Sequence, residues 1–182
     1  MKLEIKEINY KKYGKCLKFT NGHLELIATL EVGPRIISFK RIEGENILWE
    51  DLDEELIIDA PELEDIYYKG AVLNSYGGHR LWKAPEDYAT YYPDSLPIKY
   101  EYRDNTLYLI QEIQVEKGLQ MIISITFIEE NLVKVNSRII NQAKTTQRVA
   151  PWSLSMCKGP GLEIAPLPDD VTDFRPQVFY SI

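Results

Sequence analysis

Eleven consecutive residues, Tyr76-Gly77-Gly78-His79-Arg80-Leu81-Trp82-Lys83-Ala84-Pro85-Glu86, bring together a glycine pair, an imidazole, a guanidinium and an indole. The run follows neither a helical period nor a strand alternation, and reads as a site-forming loop. Paired glycines let backbone approach a ligand or take positive φ. Histidine moves protons near neutral pH, arginine offers a planar donor fork, and tryptophan offers a flat apolar face. These are the parts of a carbohydrate site.

Each candidate carries two readings. His79, one of only two histidines, is the candidate proton donor; the bland reading is an imidazole that hydrogen-bonds the loop backbone. His23 opens a regular strand after Asn21-Gly22 and reads as structural. Arg35 and Arg80 are candidate clamps for neighbouring hydroxyls or a carboxylate; either can instead pair with an acid such as Glu86 or Asp87. Arg80 is favoured as the ligand contact and Arg35 as structural. Trp82 either stacks on a pyranose face or belongs to the core. Tyr88, Tyr91, Tyr92 and Asp94 add hydroxyls, ring area and a carboxylate beside the loop, and suit either a sugar or a covered loop without ligand. Too few histidines are present for a His-rich metal site, and no metal or cofactor is expected.

The elements that must position these residues read as strands. Leu24, Leu26, Ala28, Leu30 and Val32 alternate with Glu25, Thr29 and Glu31. Leu107, Leu109, Ile113 and Val115 alternate with Tyr108, Glu112, Gln114 and Glu116, and Leu119, Met121, Ile123, Ile125 and Phe127 with Gln120, Ser124 and Thr126. Short turn signals at residues 103–106, 116–118 and 129–131 predict an antiparallel meander from Ile98 to Asn141. Another strand is expected from Gln147 to Met156, where Pro151 removes a ladder donor and favours an edge. Residues 51–96 lack periodicity and hold the site loop, as long functional connections do. The acidic run Glu50–Glu55 reads as a solvated face or short helix.

Composition narrows the partners. The chain has 182 residues, 45% hydrophobic and 27% charged, which is ordinary for one well-cored domain spanning 1–182. Its 21 basic and 28 acidic side chains leave a net charge of −7, against nucleic acid or an anionic membrane surface, both of which need a basic patch. Cys16 and Cys157 cannot build a disulfide framework or a metal motif. With no apolar run near the ~20 residues of a membrane span and no signal-like N-terminus, the protein is expected to be soluble and cytoplasmic.

Together with Val32-Gly33-Pro34-Arg35-Ile36-Ile37-Ser38-Phe39 and Gly44-Glu45-Asn46-Ile47-Leu48, the Gly-Gly-His-Arg-Leu-Trp run resembles the galactose mutarotase-like (aldose 1-epimerase) superfamily. Within it the chain is most similar to the branch that carries such a segment, the DUF4380 group. The resemblance spans about Leu24 to Pro168. It implies an all-β fold, an antiparallel β-sandwich of supersandwich type, with carbohydrate bound on one sheet face. Ala150-Pro151-Trp152-Ser153-Leu154 resembles a strand that crosses that face, with Trp152 as its large contact.

Active members pair a carboxylate base with a histidine acid, because opening a hemiacetal removes one proton and supplies another. No histidine follows His79, and the resemblance implies that the chain stops before the late glutamate of those relatives, with Phe174 to Ile182 ending abruptly after Pro166-Leu167-Pro168. The expectation is therefore an incomplete sandwich that binds a sugar or sugar-like polyol and is catalytically impaired alone. An aldose epimerase is the alternative, and a non-catalytic scaffold the third. Bared strand edges predict a homo-oligomer or a complementing C-terminal chain.

Overall fold

The computed structural model describes residues 2–162; the expectations placed on Pro166–Pro168 and Phe174–Ile182 lie outside them. In chain order the strands are β1 (Glu4–Asn9), β2 (Lys15–Thr20), β3 (Leu24–Thr29), β4 (Arg35–Arg41), β5 (Ile57–Ile58), β6 (Leu73–Asn74), β7 (His79–Ala84), β8 (Lys99–Arg103), β9 (Thr106–Ile110), β10 (Leu119–Glu129), β11 (Leu132–Asn141) and β12 (Ala150–Ser155). A short helix, α1 (Pro61–Ile66), and two 3₁₀ turns, Lys11–Tyr13 and Tyr88–Thr90, complete the described elements.

The fold is all-β and antiparallel. One sheet has the order β1-β2-β3-β4-β7-β12, a second the order β11-β10-β9-β8, and β5 pairs with β6. In β10 the alternation works as the sequence implies: Leu119, Met121, Ile123, Ile125 and Phe127 are buried between half-buried neighbours. Met121, Ile123, Ile125 and Phe127 form one cluster with Leu17, Phe19, Leu26, Ile36 and Leu81 of the larger sheet. The rings of Phe19 and Phe127 meet at 4.7 Å. At about 2 kcal/mol for each fully buried aliphatic or phenyl side chain, this shared core holds the two sheets together, an arrangement consistent with a sandwich. The meander runs through β8, β9, β10 and β11, each hydrogen-bonded to the next. Pro151 lies on β12, at the end of the larger sheet, where its missing donor costs nothing.

Two expectations need correction. Ile113 and Val115 do not continue the inward face of β9, and Val115 is 85% exposed. The chain leaves the ladder after Ile110 and turns Gln111 and Gln114 inward instead. Gln111 Nε2 donates to the Gly33 carbonyl at 3.2 Å and Gln114 Nε2 to Gln111 Oε1 at 2.9 Å. With these amides satisfied inside, Ile113 between them and Val115 just after them face out.

The expected site loop is the second correction, because His79–Ala84 is strand β7. It pairs with β4 through Arg35↔Arg80 and Ile36↔His79, and with β12 along its length. No polar–apolar alternation marks it because both faces are covered. Leu81 enters the inter-sheet core, while Trp82 packs on Leu63, Ala71 and Leu73 from the connection between β4 and β7. The glycine pair serves this crossing. Gly77 and Gly78 have φ of +83° and +72°, and a Cβ on either would lie 2.4 Å from the Trp49 carbonyl oxygen or 2.3 Å from that of Ile36. Their close approach is to neighbouring backbone.

Candidate functional site

Strand alternation divides the residues singled out by sequence. His79 lies on one face of β7 with Leu81; Arg80 and Trp82 lie on the other. His79 borders an apolar cavity of about 150 Å³ with Leu26, Ile36, Phe39, Leu48, Val133, Val135 and Ser155. Its Nδ1 meets Ser155 Oγ at 2.8 Å, and its buried Nε2 has no partner among the described residues. Burial lowers the imidazole pKa below its ordinary value, so the neutral ring is favoured.

Arg35 is the structural anchor that sequence allowed. It is fully buried, and its Nη2 donates to both oxygens of Asp94 at 2.9 and 3.1 Å and to the Asn74 carbonyl at 3.3 Å. Nη1 donates to the Gly77 carbonyl, and the guanidinium lies 5.1 Å from the Tyr76 ring centre. Asp94 is thereby a partner of Arg35 rather than a group open to ligand, and neither Glu86 nor Asp87 is the acid.

Arg80 is 7% exposed and lies over the Trp82 ring at 3.8 Å. Trp82 donates its indole N–H to the Thr90 carbonyl and stacks against Trp152 at 5.8 Å. Its ring is committed to protein neighbours, which corrects the stacking role proposed for it. Trp152 is half-buried on the edge strand against Trp82, and Tyr92 packs edge-on against Tyr67 at 5.5 Å. Arg80, Trp82, Tyr92 and Asp94 do converge, around a space of only about 10 Å³, far below the several hundred Å³ of a small-molecule site.

A groove of ligand size lies elsewhere, on the face of β3 and β4 turned away from the inter-sheet core. Its volume is about 550 Å³. The floor is two cross-strand pairs, Glu25↔Lys40 and Ile27↔Ser38. Tyr10 and Lys11 form one wall, Asn46 to Leu52 the other, and Lys158 the rim. Asn46 fixes the second wall: its Oδ1 accepts from the Phe39 and Leu48 N–H groups at 3.0 Å, and its Nδ2 donates to the Ile37 carbonyl at 3.2 Å. Trp49 is half-buried, its backbone is tied to Met156 and Gly78, and it is one of the residues lining the groove.

Charges in the groove are balanced. Lys11 meets Glu50 at 2.5 Å, Lys40 meets Glu25 at 3.6 Å, and Lys158 meets Glu45 at 3.2 Å. One Glu50 oxygen, Oε1, is buried and has no partner among the described residues. Burial acts to lower the Lys11 pKa, but the Glu50 carboxylate and the Tyr10 hydroxyl outweigh it, and the net shift is upward. The Tyr10 phenol is raised by burial and by Glu50. Among the described residues no cluster of His, Cys, Asp and Glu is arranged to hold a metal ion, and no helix is long and apolar enough to cross a membrane.

Pattern reading misses the groove because its residues come from five distant segments. The one local signal is polar Glu25, Ser38 and Lys40 on strands whose other faces are apolar. Comparisons of the chain with protein-family models, curated proteins and solved structures give no match, so its functional reading rests on geometry.

Proposed function

We propose that this chain is a mutarotase-like domain that binds a neutral sugar or polyol in the groove over β3 and β4. The observation that carries the reading is the groove itself: about 550 Å³, with an aromatic wall at Trp49 and three internally matched lysine–glutamate pairs. An indole accepts the C–H face of a pyranose. Matched charges offer directed donors and acceptors to hydroxyls without demanding a charge from the ligand. At about 0.3 kcal/mol per heavy atom, a hexose of about 12 heavy atoms gains about 4 kcal/mol, a Kd of about 1 mM.

Titration with neutral monosaccharides and polyols, followed by backbone amide shifts, tests this. Saturable shifts at Tyr10, Ser38 and Trp49 are expected, with about tenfold weaker binding in Trp49→Ala. Shifts confined to β7, or none at about a hundred times the expected Kd, would sink the reading.

Epimerase activity is the second reading, favoured by Glu50, whose unpartnered oxygen belongs to a groove-lining carboxylate able to act as a base. Neither histidine lines the groove, and the upward shift of Lys11 makes its ammonium a poor acid. Binding without efficient mutarotation is therefore expected, and polarimetry on freshly dissolved α-glucose and α-galactose measures it. Self-association belongs to the same proposal, since β8 is exposed at every residue and carries Tyr100 and Tyr102 on a sheet edge; light scattering reports it.

A further inference from the structure

Arg35 and Arg80 stand opposite each other on β4 and β7, and both are buried. Among the described residues a single carboxylate lies with them. Asp94 gives both oxygens to Arg35, and Arg80 is left with the Trp82 ring as its partner and a buried Nε that has no acceptor.

Among the described residues no other acid lines the small chamber beside Arg80. Its polar walls include Thr90, Gln111 and Gln114, which are neutral, and Lys83, which adds positive charge. Thr90 Oγ1 donates to the Asp87 carbonyl at 2.7 Å, while Gln111 gives its amide to Gly33 and Gln114 gives its amide to Gln111. Two buried guanidinium groups facing one carboxylate leave a net positive charge in a medium that solvates it poorly. Burial, and then Arg35, lower the Arg80 pKa to about 9, with Asp94 opposing; at neutral pH the group keeps its proton. The arrangement lacks one negative charge.

The space available sets the size of what can supply it. About 10 Å³ is room for one water-sized particle, and excludes a sugar acid or a phosphate ester. We propose that this chamber is a binding site for one small inorganic anion, a halide, held against the Arg80 guanidinium. The site is separate from the groove, and the ion completes the charge of the Arg35–Asp94–Arg80 group.

Chloride-35 NMR line broadening on the purified protein tests the proposal, with thermal unfolding in sodium chloride compared with sodium gluconate at equal ionic strength. The expected result is excess broadening that bromide displaces, and a saturable, chloride-specific rise in Tm of about 2–5 °C. Both effects are lost in Arg80→Met. Equal broadening in folded Arg80→Met and wild type would overturn the site, as would identical melting in the two salts without excess broadening. If Arg80→Met does not fold, wild-type crystals grown in sodium bromide decide the matter. An anomalous peak within hydrogen-bond reach of the Arg80 guanidinium supports the site; water alone at that position overturns it.

Discussion

The two halves of β4 handle charge in opposite ways. Toward its end, Lys40 shares Glu25 with Lys18 at the floor of an open groove, and every partner keeps some contact with water. At its start, Arg35 is fully buried against Asp94, whose side chain is 9% exposed, and among the described residues Arg80 sits beside them without an acid of its own. Solvated pairs are worth little individually, so they can rearrange around a ligand at small cost. A sealed pair is fixed because breaking it strands a charge. Recognition of a neutral molecule suits the first half of this contrast, and rigid registration of β4, β7 and the 94 region suits the second.

Breaking the sealed half should produce the largest effect. Asp94→Asn leaves two buried guanidinium groups without a carboxylate, and a loss of about 3–5 kcal/mol in urea unfolding is expected; a loss under about 1 kcal/mol would erase the contrast. Gly78→Ala strikes the same crossing through the backbone, since its φ is positive and the added carbon meets the Ile36 carbonyl. The same unfolding measurement should show a loss of about 2–3 kcal/mol.

A smaller effect should follow pH at His79. Burial depresses its folded pKa below 6.5, so its contribution is fully present above the unfolded value and is lost as pH falls through the folded one. His79→Gln should flatten the acid limb of the stability curve between those values; an unchanged limb would remove His79 as its source. Least of all, Lys40→Ala in the groove should cost less than about 1 kcal/mol. A loss as large as that of Asp94→Asn would show that the groove charges are not adaptable.

How much of this could be read from residues alone depended on whether one face of a strand met water. β10 and the turns around it are legible because Gln120, Ser124 and Thr126 mark a wetter face. β7 is not, since Leu81 is buried in the core while Arg80 and Trp82 are covered from the opposite side, and a strand buried on both faces loses its period. Arg80 reads from sequence as a ligand clamp, with an acid such as Glu86 or Asp87 as the alternative partner, whereas the fold lays it over the Trp82 ring. His79 was grouped with it only because the two are neighbours in sequence, and a strand sends neighbours apart. The groove stayed hidden because Tyr10, Glu25, Ser38, Trp49 and Lys158 meet only through sheet pairing.

The two thiols, unequal in burial, give this chain a built-in attachment point. Cys16 is buried, and its pKa is pushed up to about 11 by burial and Glu31, whereas Cys157 is exposed. Reactivity follows the thiolate and its access, so a maleimide dye at neutral pH should label Cys157 alone. That residue bridges to Leu48 and precedes Lys158 at the groove rim. A fluorophore there would report occupancy of the groove in the unmodified sequence, turning a sugar screen into a plate-reader measurement.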